Sequence, residues 1–170
     1  VAVKVIDQAV LRDHKFDEAS RKQFLNEASL AGKLSHPHVV SILEASVTED
    51  SGYIVMEYVP GGSLVRHTYH DNLLPVVDVL QIIYKCCSAL EYASNQGIVH
   101  RDIKPGNIMV VSGANVKITD FGSSVFYKEQ IKQAVTVGTP SYMSLEHIKG
   151  DCVSYLSDMY SLGIVAYELL

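Results

Sequence analysis

The segment HRDIKPGN, residues 100–107, concentrates polar side chains between two largely apolar stretches, LEYASNQGIV and IMVV. It carries a carboxylate at Asp102, cations at Arg101 and Lys104, and a side-chain amide at Asn107. A carboxylate can accept a proton, a cation can neutralise an anion, and amide and carboxylate oxygens can bind a hard metal ion. This loop is therefore a candidate site for chemistry.

A predicted β-hairpin after this loop brings a further polar group close to it. The runs NIMVV and VKIT flank the turn sequence SGAN, which is typical of two antiparallel strands. Asn107 stands just before the first strand and Asp120 just after the second. Antiparallel pairing should therefore place the Asn107 amide and the Asp120 carboxylate at the same end of the hairpin.

The elements that must position these groups can be derived from apolar spacing, and the first is a strand. Residues 1–6 alternate, so that Ala2 and Lys4 share one face and three valines share the other. We expect the valine face to lie in the core and the opposite face to carry the Lys4 cation.

The rest of the first part should contain one helix and two strands. A helix is predicted over residues 17–34, with Glu27 on its flank. Its apolar stripe consists of Phe24, Ala28, Ala31 and Leu34. The runs HVVSILEASV and YIVMEYV predict strands joined by TEDSG, and the breaker cluster PGGS separates this sheet-rich part from the second part of the chain.

The second part should be mainly helical. A long helix is predicted from about 76 to 95, ending near Gly97. Its apolar stripe is Val76, Leu80, Ile83, Cys87 and Leu90, and a last helix is outlined by Met159, Leu162, Ala166 and Leu169.

Composition excludes several classes of function. The net charge is −5 and the 14 lysines and arginines are scattered, which argues against nucleic-acid binding because that needs a clustered basic surface. No run approaches the roughly 18 apolar residues of a membrane span, so no membrane contact is expected from this segment. The cysteines, at 86, 87 and 152, show neither a CxxC pair nor an even disulfide set and are expected to be reduced.

Several ordered motifs together resemble the eukaryotic-type serine/threonine protein kinase catalytic domain. They are VAVK, Glu27, HRDIKPGN, DFG at 120–122 and GTPSYMSLE at 138–146. MEYVPGGSL and DMYSLGIVAYELL resemble the hinge and a long helix of its larger lobe. The sequence resembles bacterial members of the family most. The resemblance implies a two-lobed α+β fold, with residues 1–59 in a truncated small lobe and residues 60–170 in a truncated, mainly helical large lobe.

The resemblance implies phosphoryl transfer from ATP to serine or threonine hydroxyls of protein substrates. Asp102 is then the catalytic base, and Lys104 stabilises the transferring phosphate, as in serine/threonine-specific members. Asn107 and Asp120 offer the oxygen ligands that Mg²⁺ prefers, with Mn²⁺ as an alternative.

The nucleotide contacts are implied in the same way. Lys4, held by Glu27, would grip the α- and β-phosphates of ATP. The remaining contacts are Ala2 and Met109 packing on the adenine, Met56 as gatekeeper, and the main chain of Glu57 and Val59 in the hinge.

Structural and regulatory roles are also implied. His100 should pack against Phe121 instead of titrating in catalysis. Arg101 should pair with a phosphate on the segment after DFG, with Thr136 as the favoured site of autophosphorylation. Thr139 should instead contact the base and the lysine of the HRDIKPGN loop.

The sequence departs from the family pattern in three ways. The glycine-rich loop expected before VAVK is absent, as are the helices expected after Leu170, including an arginine partner for Glu146. Leu145 replaces the usual proline of APE, a change a loop can tolerate. We therefore expect a partial kinase domain that is itself inactive for lack of the phosphate-covering loop, in an active parent.

Three alternatives compete with this interpretation: a pseudokinase or scaffold module, a small-molecule phosphotransferase of similar fold, and an inactive truncated product. The complete set of catalytic residues argues against the first, and Lys104 with GTPSYMSLE argues against the second. Expected partners are ATP and protein substrates, with self-association for autophosphorylation. A cytoplasmic location is expected, with any membrane anchor of the parent lying outside this chain.

Overall fold

The computed structural model of the chain describes residues 1–5, 25, 28–29, 32–48, 51–121, 125–126 and 139–170. Glu27 and Thr136, both singled out by the sequence, lie outside these ranges. The described residues form an α+β architecture with a small antiparallel sheet followed by helices and a hairpin, as predicted.

A three-stranded antiparallel sheet opens the chain. Its strands are β1 (Ala2–Val5), β2 (Ile42–Val47) and β3 (Gly52–Met56), and β3 lies in the middle. The register pairs Ala2 with Met56 and β2 with the other side of β3. Because β3 runs directly into residues 57–59, the sheet holds the start of the chain beside the predicted hinge.

The valine face of β1 is exposed, so the expectation that it lies in the core was wrong. Val1, Val3 and Val5 are 81%, 55% and 69% exposed. The alternation itself is correct, but burial also needs a second layer, and within the described ranges nothing packs on this face. Sequence alternation gives the faces of a strand without saying which face is covered.

The predicted helix over 17–34 is helical at its described positions up to Gly32, while Lys33 lies in a turn and Leu34 lies outside the helix. Leu25, Ala28, Ser29 and Gly32 have helical backbone, and Ala28 and Leu34 are buried. The turn at Pro37 and His38 then leads into an extended stretch that pairs with the hairpin at Val39.

Helix α1 (Val76–Asn95) has the predicted bounds. Gln96 caps its C-terminus and is followed by Gly97, which has φ of 75°. The predicted stripe was partly wrong, since Val76 and Leu80 are 59% and 63% exposed. The buried residues are Val79, Ile82, Cys86, Ala89, Leu90 and Ala93. This helix is apolar over much of its circumference, so more than one stripe fits the spacing, and its neighbours decide which one is buried.

The predicted hairpin is present and completes the core. Its strands are β5 (Ile108–Ser112) and β6 (Asn115–Ile118), and Ile108 pairs with Ile118. Helix α1 packs on β6, while the short strand β4 (Ile98–Val99) pairs with β7 (Val125–Phe126).

Two further helices come after the candidate site. They are α2 (Leu145–Ile148) and α3 (Tyr155–Leu169), and α3 packs against α1. Leu162, Val165 and Leu169 are buried, but Met159 of the predicted stripe is largely exposed. In the described part of the chain, no helix combines the length and apolarity needed to cross a bilayer.

Candidate active site

Asp102 and Lys104 form the centre of the candidate site. Lys104 Nζ lies 2.7 Å from Asp102 Oδ2, and it also donates to Thr139 Oγ1 at 2.7 Å. Asp102 Oδ1 accepts hydrogen bonds from the backbone N–H and the hydroxyl of Thr139, each at 3.1 Å. A carboxylate, an ammonium and a hydroxyl are thus in mutual contact, which confirms the contacts predicted for Thr139.

Asn107 is fixed against Asp102 by its amide nitrogen. Asn107 Nδ2 donates to the Asp102 carbonyl at 2.7 Å and to Oδ2 at 3.0 Å. The tight turn Pro105–Asn107 and the burial of Asn107 hold this orientation. Because both hydrogen bonds use the amide nitrogen, the side-chain oxygen Oδ1 stays available as a ligand.

The base of the hairpin joins Asn107 to the DFG segment, as predicted. The Thr119 N–H donates to the Asn107 carbonyl at 2.9 Å, which places Asp120 one residue beyond that contact. Asp120 has a positive φ of 63°. A residue other than glycine in this left-handed region is uncommon and is frequently found at functional sites.

Lys4 of the first strand reaches the DFG aspartate. Lys4 Nζ lies 2.7 Å from Asp120 Oδ1, with the two side chains 53% and 39% exposed. The cation predicted to grip phosphates and the carboxylate predicted to bind metal are therefore adjacent. The predicted pairing of Lys4 with Glu27 falls outside the described residues and stays a prediction.

Asp158 supports the HRDIKPGN loop through its backbone, a role that the sequence interpretation missed. Its carboxylate accepts the backbone N–H groups of His100 and Arg101, each at 2.8 Å. Arg101 has a positive φ of 72°, and the two hydrogen bonds hold its backbone in this strained conformation. Burial raises the pKa of the Asp158 carboxyl, while the nearby His100 and these N–H groups oppose the shift.

A signal for Asp158 was present in the sequence. Asp158, Leu162, Val165 and Leu169 step by 4, 3 and 4 along α3, so the aspartate lies on the buried stripe. A carboxylate in line with core residues needs buried hydrogen-bond partners. Helical spacing applied to polar residues would therefore have marked Asp158 as buried, without showing which groups it binds.

His100 is a structural residue, as predicted. Its ring centre lies 4.5 Å from that of Phe121 in an edge-on arrangement. His100 Nδ1 accepts the Asp102 N–H at 3.2 Å, so the proton of the neutral ring lies on Nε2, which donates to the Thr119 carbonyl at 3.0 Å. Both ring nitrogens are used to shape the loop, which leaves neither for acid–base chemistry.

The hinge residue Glu57 is held by an ion pair that the sequence interpretation also missed. Lys117 Nζ lies 2.8 Å from Glu57 Oε2, and the Ser41 N–H donates to the same oxygen at 3.3 Å. Burial alone would raise the pKa of Glu57, but the hydrogen bonds from Lys117 and Ser41 outweigh it, so the pKa is lowered. The pair ties the hinge to β6.

The PGGS segment after the hinge lies directly on β5. The Gly61 N–H donates to the Val110 carbonyl at 3.0 Å, and the Val110 N–H donates to the Gly62 carbonyl at 2.8 Å. A Cβ at Gly61 would lie 2.3 Å from the Val110 oxygen, and Gly62 has φ of 74°. Only glycine fits this approach, which also pairs Ser63 with Met109.

The other residues predicted to contact adenine lie around this junction. Ala2 pairs with Met56 across the sheet, and the Thr119 hydroxyl lies 3.9 Å from the Met56 sulfur. Val59 is buried and Met109 is half-buried. The structure thus places Ala2 beside Met56 in the sheet and Met109 beside the PGGS segment.

The GTPSYMSLE segment is anchored to α3. The Tyr142 hydroxyl donates to Glu168 Oε2 at 2.8 Å, and burial together with this contact raises the pKa of Tyr142 to about 12. Ser157 Oγ donates to Glu146 Oε1 at 2.6 Å. Leu145 begins α2 with its side chain exposed, so the replacement of proline is accommodated without burial.

The donor set fits a hard divalent ion. Asn107 and Asp120 supply an amide oxygen and a carboxylate, which are the ligand types that Mg²⁺ takes alongside substrate phosphates and water. Among the described residues, no group of three or more histidines, cysteines and acidic residues could hold a metal by protein ligands alone.

Comparison with known proteins agrees with this geometry. The family model described as "Protein kinase domain" matches residues 1–170. The serine/threonine-protein kinase PknB of Mycobacterium leprae is 38% identical over 100% of this chain and 28% of that protein. A probable serine/threonine-protein kinase of Clostridium perfringens is 37% identical over 100% of this chain and 24% of that protein. The chain spans about a quarter of the length of these relatives.

Proposed function

Because the chain belongs to the protein kinase domain family, we propose that the protein transfers the terminal phosphoryl group of ATP to serine or threonine hydroxyls of protein substrates. The observation that carries the proposal is the contact between Asp102, Lys104 and Thr139. A hydroxyl already lies within hydrogen-bonding distance of both the proposed base and the proposed cation. Relatives named as serine/threonine-protein kinases support the same activity.

In this proposal Asp102 accepts the proton of the substrate hydroxyl as that oxygen attacks phosphorus. The hydrogen bonds from Thr139 and Asn107 fix the direction of the carboxylate, which favours a single attacking geometry. Lys104 neutralises charge on the transferring group, since its ammonium lies beside the carboxylate that holds the substrate.

The nucleotide would lie between the sheet and the hairpin. Lys4 would bind the α- and β-phosphates of ATP, and the adenine edge would meet the main chain of Glu57 and Val59. Asn107 and Asp120 would hold Mg²⁺, or Mn²⁺ in its place, which neutralises phosphate charge when it is bound. Residues 1–59 and 60–170 are the two lobes in this proposal.

Regulation by autophosphorylation belongs to the same proposal. Thr136 is the favoured acceptor, and Arg101, beside the proposed base in sequence, would pair with the new phosphate. A second copy of the protein would be the phosphorylating partner.

The test compares the full-length protein with its Asp102→Asn variant, using ATP labelled on the terminal phosphate. Loss of the proposed base should lower phosphate transfer to protein by roughly 100-fold or more. Asp71→Asn is the matched control, because Asp71 is fully exposed and its only described contact is with neighbouring His70.

Equal labelling of protein by the native protein and by Asp102→Asn would contradict the catalytic role. Label that appears only on small molecules would contradict protein as the substrate. Label that maps to the segment around Thr136 in the native protein alone would support autophosphorylation.

A further inference from the structure

The segment between the helix predicted over 17–34 and β2 contains two histidines that have no part in the proposed catalysis. His36 and His38 flank Pro37 in the sequence HPHVV. Their ring centres lie 5.5 Å apart at an interplanar angle of 64°. Both rings are half-buried, at the place where this segment meets α1 and β6.

The His36 ring contacts α1 directly. It stacks on Tyr92, with ring centres 5.2 Å apart and an interplanar angle of 25°. His36 Nε2 lies 3.3 Å from the Ser88 hydroxyl. The Tyr92 hydroxyl in turn accepts the Ser35 N–H at 3.2 Å, so one turn of α1 holds both residues at the start of the segment.

The hydrogen bonds indicate which nitrogen carries the proton in the neutral form of each ring. His36 Nδ1 accepts the backbone N–H of His38 at 3.2 Å, so the proton of neutral His36 lies on Nε2. His38 Nδ1 lies 3.0 Å from the Val116 carbonyl, which only accepts, so His38 carries its proton on Nδ1. The hydrogen bond from the His38 N–H therefore requires neutral His36, because a proton on His36 Nδ1 would remove its acceptor.

We propose that His36 and His38 form a proton-sensitive latch that fastens this segment to α1 and to the hairpin when His36 is neutral and loosens in acid. Charging His36 removes the side-chain hydrogen bond of this turn and leaves its backbone bond, from the Val39 N–H to the His36 carbonyl at 3.1 Å. It also places a cation against a second imidazole and near Lys117 of β6.

The surroundings of His36 also disfavour its protonated form. Burial lowers the pKa of His36 from its ordinary value of 6.5, and His38 and Lys117 lower it further. The groups from α1 that face the ring are the hydroxyl-bearing side chains of Tyr92 and Ser88, and neither is a carboxylate that could pair with a charged imidazole. The folded state thus disfavours protonated His36. Neutral His36 therefore stabilises the folded state fully above about pH 6.5, and this stabilisation is lost as the pH falls below that value.

The latch has structural consequences beyond its own turn. The Val40 N–H donates to the Ile118 carbonyl and the Ile118 N–H donates to the His38 carbonyl, each at 2.8 Å. These bonds align the segment with β6, whose next residues are Thr119 and Asp120 of the candidate site. Loosening at His38 therefore acts on the strand that leads to the DFG aspartate.

The test is hydrogen–deuterium exchange of the full protein at about pH 7.5 and about pH 5, on either side of the ordinary histidine pKa. After correction for intrinsic rates, the amides of 38–40 should be less protected at about pH 5 than at about pH 7.5. The amides of 82–90 in α1 serve as the internal reference and should keep theirs.

Two variants separate the latch from general acid effects. In His36→Asn the side-chain oxygen can still accept the N–H two residues on but does not titrate, so protection of 38–40 should become independent of pH. His70→Asn removes a histidine whose side chain is 98% exposed and should behave like the native protein. Unchanged native protection at both pH values, or equal acid loss in His36→Asn, would overturn the proposal.

Direct titration of the native protein keeps the proposal testable if His36→Asn does not fold. The imidazole proton resonances of His36, followed by NMR, should show a midpoint below that of exposed His70. A midpoint for His36 equal to or above that of His70 would overturn the latch. Neither measurement depends on phosphoryl transfer, so failure of the latch and failure of the proposed function are distinguishable.

Discussion

At the scale of single residues, the polar groups of HRDIKPGN divide into candidate catalytic groups and groups that support the loop. Asp102, Lys104 and Asn107 contact one another, whereas His100 uses both ring nitrogens to hold the loop. The sequence motif predicted the first group because its residue types and spacing are specific. It could not show Asp158, which lies 58 residues from His100 in sequence and reaches the loop only through the fold.

Asp158→Asn should destabilise the protein and distort the catalytic loop. The asparagine NH₂ group would face one of the two backbone N–H groups that now donate to the Asp158 carboxylate. That N–H would lose its acceptor, and an unsatisfied buried donor costs about 1–3 kcal/mol. Chemical denaturation measures the loss of unfolding free energy, and Asp78→Asn on half-buried Asp78 of α1 is the control. An Asp158→Asn variant as stable as the control would contradict a supporting role.

At the scale of elements, the bounds of helices and strands could be derived from sequence more closely than their buried faces. Helix α1 spans the predicted 76–95, yet Val76 and Leu80 of its predicted stripe are exposed. Turns and helix ends depend on local residues such as Gly97. The buried face depends on which neighbour packs there, and an all-round apolar helix leaves that choice to α3 and β6.

A pair of glycine substitutions tests the contact between the PGGS segment and β5. Gly61→Ala places a methyl group 2.3 Å from the Val110 oxygen and should cost about 1–3 kcal/mol of unfolding free energy as the two backbones separate. Gly163→Ala in α3 meets nothing within 4 Å and should stabilise the protein by about 0.5–1 kcal/mol. Thermal or denaturant unfolding should show changes in unfolding free energy of opposite sign for the two substitutions. Equal effects of the two substitutions would contradict the close approach at Gly61.

At the scale of the whole molecule, the N-terminal sheet, the hinge and the hairpin meet at the candidate site through a few long-range contacts. Lys4 pairs with Asp120 across 116 residues, and Glu57 pairs with Lys117 across 60. Each contact joins the sheet-rich part to the hairpin. The site therefore depends on how these parts are placed together and on no single element.

Lys4→Met should weaken ATP binding with little effect on stability. The Lys4–Asp120 pair is about half exposed, and exposed ion pairs contribute about 0–1 kcal/mol, so unfolding should change little. Losing the phosphate-binding cation should raise the ATP dissociation constant by roughly tenfold or more. Calorimetric titration of the full protein with Mg-ATP measures it, with exposed Lys149→Met as the control. Unchanged ATP affinity in Lys4→Met would exclude Lys4 from the nucleotide site.

The sequence by itself determined the family and the order of the main elements, and it singled out the candidate catalytic side chains. These are local properties: residue types at fixed spacing, turn-forming residues and apolar periodicity. Only the tertiary structure decided which faces are buried, that Asp158 and Lys117 support the catalytic loop and the hinge, and that His36 and His38 join the segment before β2 to α1 and the hairpin. Those features arise from contacts between residues far apart in the chain, and no local pattern specifies which distant residue will satisfy a given polar group.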